Sequence, residues 1–260
     1  MIFYKTEEEI ELLRKSNQLV SKTLAEVGKL VKPGVTTLRL DQRAEEFIRD
    51  NGGEPGFLGY KDYPKTLCTS VNSQVVHGIP SLYELKEGDI VSIDCGVLLN
   101  GYYGDSAYTF AIGKIDDDVK KLIKITKESL FKGIEVAKEG KRVGDIGYEI
   151  QSYCEHAGFS VVREMVGHGL GKNLHESPEV PNFGRRGKGI KLKKGMVICI
   201  EPMINVGKKE IVQEKDGWTI RTADNKPSAH YELAVAINKN KADILSTFDY
   251  IEEILKNINN

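Results

Sequence analysis

Four acidic residues sit where the hydrophobic pattern calls for core. Asp94 and Asp105 lie in VSIDCGVLLNGYYGDSAYTF (91–110), Glu201 ends LKKGMVICIE (192–201), and Glu232 precedes the apolar run of SAHYELAVAI (228–237). A buried carboxylate resists ionising, and two close together also repel. Local rules place the first pair. Asn100-Gly101 is a two-residue hairpin signal. With those two as the turn, Leu99 faces Tyr102 and Asp94 faces Ala107. Asp105 lies two residues from Ala107, so it shares a face with Asp94, with Cβ atoms within about 8 Å. An arginine, a shared proton or metal cations must compensate. VGHGLG (166–171) adds His168 between glycines, which allow close backbone approach to a site. Carboxylates with one imidazole favour Mn(II), Fe(II), Co(II) or Zn(II). Five protein ligands are too many for one catalytic ion with an open position; they suit two ions bridged by carboxylates.

Helices and strands must position these groups. Thr6 and Glu9 form a capping box, and the apolar spacing from Ile10 to Val31 predicts a helix that ends at Pro33-Gly34. A second helix is expected over 37–50, closed by Gly52-Gly53. Strands are expected over 57–110. Asp116 to Asp118 place negative charge at the start of a helix running to about Lys138. A further helix spans about Val143 to Ala157, strands dominate 159–237, and a short helix lies near 250–256.

The order helix, helix, strands occurs twice. LKEGDIVSID (85–94) matches LKKGMVICIE (192–201), aligning Asp94 with Glu201. Before them, Lys32-Pro33-Gly34 and Lys138-Glu139-Gly140 each precede a helix closing at Gly52 or Gly158. An internal duplication follows: an α+β chain, residues 1–260 as one catalytic domain, with repeats of roughly 6–110 and 116–240. Two curved sheets would pack together with helices outside.

Composition narrows the function. The 260 residues carry 37 basic and 38 acidic side chains, so no global field recruits nucleic acid or an anionic membrane. No apolar run is long enough to span a bilayer. Cys68, Cys95, Cys154 and Cys199 form no C-x-x-C pair and read as reduced thiols, with the cytoplasm as the expected location.

The ordered set Asp94, Asp105, His168, Glu201 and Glu232 resembles that of the pita-bread metallopeptidases, family M24. Within them the chain is similar to type I methionine aminopeptidases. VVHGIP (75–80), IDCGVLLNGYYGDSAYTF (93–110), MVGHGLGKNLHESPEV (165–180), MVICIEPM (196–203) and DGWTIRTADNKPSAHYE (216–232) carry the resemblance over essentially the whole chain. It implies a curved antiparallel sheet covered by helices, in two pseudo-twofold halves. It also implies a methionyl aminopeptidase that removes initiator methionine before a small second residue, using a water or hydroxide bridging two divalent ions. Asp105 and Glu232 would bridge the ions, Asp94 would chelate one, and His168 and Glu201 would complete the other. Glu201 would shuttle the proton. His175 would polarise the scissile carbonyl or stabilise the tetrahedral intermediate, and His77 would contact the substrate backbone or leaving nitrogen. Tyr60, Tyr63, Cys68 and Trp218 would line the methionine pocket, with Phe57 and Leu174 in place of a frequent cysteine and phenylalanine. Asn72 and Ser228 would hold a sodium or potassium ion.

Two other readings compete. A proline-specific pita-bread peptidase shares the five ligands, but the short N-terminus, Tyr60, Tyr63 and Trp218 argue against it. A non-catalytic ribosome- or RNA-associated paralogue typically loses ligands, and none is lost here. The stretch NFGRRGKGIKLKKG (182–195) carries six basic residues and no acid. It reads as a solvated loop that could contact ribosomal RNA. The expected partners are nascent polypeptide N-termini, with no membrane, no specific DNA and a monomeric chain.

Overall fold

The computed structural model describes residues 1–258. The first half contributes α1 (Glu7–Gly28), α2 (Thr37–Asp50), β1 (Glu54–Pro55), β2 (Leu67–Val71), β3 (Gln74–Val76), β4 (Ile90–Leu99) and β5 (Tyr102–Ala111). The second begins with α3 (Asp117–Val136) and α4 (Val143–His156). It continues through β6 (Ser160–Val161), β7 (Gly167–Gly169), β8 (Glu176–Val180), β9 (Val197–Ile200), β10 (Met203–Asn205), β11 (Ile211–Gln213), β12 (Ile220–Thr222), β13 (Ser228–His230), β14 (Glu232–Ala236) and β15 (Asp243–Ile244). Helix α5 (Asp249–Ile258) follows.

Local chemistry sets these boundaries. Thr6 Oγ1 accepts from the Glu9 N–H at 3.3 Å, and the Glu9 carboxylate accepts from the Thr6 N–H at 3.0 Å. Both arms of the box therefore satisfy free donors at the start of α1. The hairpin forms in the expected register, with Leu99 opposite Tyr102 and Asp94 opposite Ala107.

The strands form one nine-stranded antiparallel sheet of order β1-β4-β5-β14-β9-β7-β8, with β2 on β4 and β15 on β14. The two curved sheets expected from the repeat are thus parts of one continuous sheet. The halves join edge to edge, where Glu232 pairs with Ala107 and Leu233 with Ser106. Ladder hydrogen bonds across that seam leave no free edge at the centre. Two three-stranded sheets, β13-β10-β6 and β11-β12-β3, lie beside it. SAHYELAVAI is thus two strands that change sheets at Tyr231, whose buried hydroxyl donates to the Thr109 carbonyl. Residues 57–66 also depart from expectation. They form a loop with a 3-10 turn at Tyr60–Asp62, and Lys61 and Asp62 take positive φ.

Side-chain alternation explains the acids. Ile93, Cys95 and Val97 of β4, Tyr108 and Phe110 of β5, Ile198 and Ile200 of β9, and Leu233 and Val235 of β14 join the core shared with the helices. Their alternates, Asp94, Asp105, Cys199 and Glu232, occupy the opposite face. Glu201 continues that phase one residue beyond β9. One face is apolar because helices cover it; the other is free to carry charge.

Candidate metal centre

Three of the four acids, Asp105, Glu201 and Glu232, converge on His168. Its Nε2 lies 3.5 Å from Glu201 Oε1 and 3.8 Å from Asp105 Oδ2. Atoms of Asp105, His168, Cys199 and Glu232 lie within 4.8 Å of one another, as do atoms of Glu201, His230 and Glu232. Asp94 lines the same cavity, and its charge bears on Asp105. Burial pushes Asp94 up to about 7. Burial first, then the Glu232 and Asp94 charges, raises Asp105 well above the carboxylate range. Glu201 and Glu232 rise for the same reasons, through burial and then neighbouring acids. The protein alone does not compensate these charges.

The residues fit divalent cations. Burial lowers His168 to about 4, so its ring is neutral. His168 Nδ1 lies 2.9 Å from the Gly169 carbonyl. A proton on Nδ1 satisfies that bond and leaves the Nε2 lone pair facing Glu201 and Asp105. A lone pair facing carboxylate oxygens at 3.5 to 3.8 Å is an acceptor among acceptors. Asp94 Oδ1, Asp105 Oδ1, Glu232 Oε1 and His230 Nε2 are buried without hydrogen-bond partners. Each such atom costs about 1–3 kcal/mol unless something else satisfies it. Cations held among Asp94, Asp105 and Glu232 would satisfy the carboxylate oxygens together.

A cavity of about 290 Å³ opens onto the cluster. Phe57, Tyr60, Tyr63, Cys68, His77, Leu174, His175 and Trp218 all line it, together with the five acidic and imidazole groups. Phe57 packs against Gly96 of β4, where any Cβ would strike its ring. Tyr63 donates to the Leu67 carbonyl at 2.9 Å and meets the Trp218 ring edge-on at 5.0 Å. His175 Nδ1 lies 2.9 Å from the Tyr60 hydroxyl, and its ring is 4.3 Å from that of His168. His77 holds a positive φ of 59°, an uncommon conformation that places its ring edge-on to Trp218 at 6.2 Å. One side of the cavity is thus aromatic and apolar, and the other is a bank of potential ligands.

The sequence profile of metallopeptidase family M24 matches residues 11–239. The chain belongs to metallopeptidase family M24. It is 55% identical over 246 residues to a methionine aminopeptidase of Clostridium perfringens, covering 95% of this chain and 99% of that one. It is 48% identical, with the same coverage, to methionine aminopeptidase 1 of Bacillus subtilis. The crystal structure of methionine aminopeptidase from Rickettsia prowazekii superposes with a TM-score of 0.94 at 42% identity, over 95% of this chain and 100% of that one. The fold is therefore the pita-bread fold, and use of a divalent metal follows from the M24 family and the buried ligand cluster.

In this M24 chain two groups in the cluster went unread in the sequence. His230 faces Glu201 Oε2 at 3.8 Å. It stands two residues before Glu232, in phase with it, which was the available signal. Cys199 lies within 4.8 Å of Glu232 and stands two residues before Glu201, in the same relation. Asn72 and Ser228 lie apart from the cluster. The Ser228 N–H donates to the Asn72 carbonyl at 2.9 Å, while the Asn72 side chain is engaged with Asp89 and the Ile90 N–H. The basic stretch begins on a buried residue: Asn182 donates to the Glu201 carbonyl at 2.9 Å. Its six cationic side chains are exposed. Among the described residues no helix is long and apolar enough to cross a membrane.

Proposed function

We propose that this M24 chain removes N-terminal methionine from new polypeptides, preferring a small second residue. The observation that carries this is the neutral His168 facing unpaired carboxylates on the wall of an aromatic cavity. Asp94, Asp105, His168, Glu201 and Glu232 would hold two divalent ions from among Mn(II), Fe(II), Co(II) and Zn(II). When bound, such ions supply Lewis acidity and lower the pKa of water. Glu201 takes a proton from the attacking water and passes it to the leaving amine. A Tyr60 hydroxyl donating to His175 Nδ1 leaves Nε2–H free to donate to the developing oxyanion. His77 orients the substrate backbone. Phe57, Tyr63, Cys68, Leu174 and Trp218 close around the methionine side chain and exclude water, and discrimination rests on that fit.

The same reading treats residues 1–260 as one catalytic domain built from a duplicated unit of roughly 6–110 and 116–240. It places the chain in the cytoplasm as a monomer. The exposed cations of 182–195 would meet ribosomal RNA near the nascent chain. Asn72 and Ser228, joined through the Asn72 carbonyl, would hold a sodium or potassium ion. The deciding assay incubates metal-stripped protein with Met-Ala-Ser and Ala-Pro-Ser, with and without each divalent ion. Methionine release only with metal is expected. No release with any metal, or preferential cleavage before proline, would overturn the reading.

A further inference from the structure

The loop that carries Leu174 and His175 is tied to the start of the chain. Gly169 and Glu176 pair across β7 and β8, so residues 170–175 form a closed excursion. Inside it, the Gly171 N–H donates to the Asn173 carbonyl at 3.2 Å, and the Gly171 carbonyl accepts from Tyr103 of β5 at 2.9 Å. The Glu176 carboxylate lies over Gly171, where a Cβ would run into it. Its Oε1 accepts from the Asn173 N–H at 3.3 Å, and its Oε2 pairs with Lys5 Nζ. The two side chains of that ion pair are 6% and 3% exposed and 171 residues apart. Lys5 is itself fixed. Its N–H donates to the Gly195 carbonyl at 2.7 Å, and Ile2 bridges to Ser177 in parallel.

We propose that Lys5 and Glu176 are positioning residues for the active-site loop, so that residues 2–5 are part of the catalytic apparatus. Glu176 precludes other shapes of 171–175 by filling the space above Gly171 and capping Asn173. Lys5 holds that carboxylate in place, because a buried charge keeps one position only when its partner is fixed. Loss of Lys5 removes the ion-pair partner of Glu176, and the carboxylate then seeks solvent and releases the loop. The consequence falls on His175, the residue beside Glu176, whose placement matters most in the transition state. The inference rests on the role proposed for His175, and the His175→Ala variant alone tests that role separately.

The test compares Lys5→Met, Lys5→Arg, Glu176→Gln and His175→Ala in the full-length, metal-loaded protein. Lys5→Met and Glu176→Gln should lower kcat about tenfold with bound metal unchanged, since misplacing a catalytic group by a fraction of an ångström has effects of this order. Lys5→Arg should recover most of the loss. The deciding variant is Lys5→Met with His175→Ala: it should be no slower than His175→Ala alone, because a group acting through His175 has nothing left to position. Amide hydrogen exchange at 171–175 should quicken in Lys5→Met even without metal, with the rest of the sheet unchanged. Multiplying losses in the double variant, or unchanged exchange at 171–175, would overturn the proposal. If Lys5→Met does not fold, Glu176→Gln with His175→Ala provides the same cycle.

Discussion

The two halves of the chain use one framework and load it differently. In the first, the Gly34 N–H donates to the Leu85 carbonyl at 2.8 Å and the Leu85 N–H to the Val35 carbonyl at 2.9 Å. In the second, Gly140 donates to Leu192 at 3.0 Å and Leu192 to Lys141 at 2.7 Å. Each pair leads into a helix of 14 residues, α2 or α4. What differs is the strand pair beyond. β4 and β5 are ten residues each and share a tight hairpin. β9 and β14 are four and five residues, and the chain between them builds β10 to β13. The first half therefore offers short aspartates on a rigid floor. The second offers longer glutamates at strand ends, with His168, His175 and His230 around them. The shared framework gives the two halves one plan, and more of the chemistry stands in the half with the shorter strands.

Symmetric removal of charge is the strongest test of that comparison. Asp105→Asn and Glu232→Gln remove equivalent groups from β5 and β14. Each should lose bound metal and lower kcat/KM by on the order of a thousandfold or more, since metal stabilisation is worth several kcal/mol. Metal analysis beside the peptide assay checks this. A large loss from one variant and a small loss from the other would show that the halves do not share the centre.

The framework can be tested in the same paired way. Leu85 and Leu192 are buried to 1% and 0% exposure at matching positions. Each changed to Ala should cost about 3 kcal/mol, within the usual range for a buried leucine. Urea midpoints with unchanged slope would report it. A cost at Leu192 far below that at Leu85 would mean that only one half depends on this anchor.

Much of this comparison was legible because local rules carried it. The α2 boundaries follow from Thr37 and Gly52, and the hairpin register from Asn100-Gly101. The acids stood out because their neighbours are apolar on the alternate phase. What escaped was long-range. Nothing near Lys5 in sequence signals a partner at Glu176, because their contact depends on how β8 docks against residues 2–5. His230 shares the phase of Glu232, but its approach to Glu201 is a tertiary contact made where the chain changes sheets at Tyr231. The loop at 57–66 has strand-like composition, yet its aromatic side chains serve the cavity rather than a sheet.

Helix caps give a smaller paired effect. In α2 the cap residue supplies the acceptor: Thr36 Oγ1 receives the Arg39 N–H at 3.1 Å. In α4 the acceptor comes from the other end of the box, Asp145 Oδ2 receiving the Arg142 N–H at 2.8 Å. Thr36→Ala and Asp145→Ala should each cost about 1 kcal/mol in thermal or urea unfolding. Asp145 also accepts from the Gly187 N–H at 2.7 Å. Its variant alone should therefore speed proteolysis within 182–195, and equal cleavage in both variants would count against that second role.

The smallest effect separates the halves by pH. Helices α1 and α2 are clasped by Glu26 and Arg43 at 2.9 Å, α3 and α4 by the Tyr153 hydroxyl donating to Glu128 at 2.6 Å. Hydrogen bonds from Lys29 and Arg43 lower the Glu26 pKa in the folded chain. Its contribution is therefore complete above the unfolded value near 4.5 and is lost as pH falls through the lower folded value. The hydrogen bond to Glu128 pushes Tyr153 up to about 12. That contribution is complete below the unfolded value near 10 and is lost as pH rises through about 12. Both clasps lie near solvent, so each should be worth less than about 1 kcal/mol. The melting-temperature gap between wild type and Glu26→Gln should narrow below pH 4.5, and that between wild type and Tyr153→Phe above pH 10. Gaps that stay constant across those windows would mean that the two helix pairs are held by apolar packing alone, and that equivalent scaffolds need no equivalent clasps.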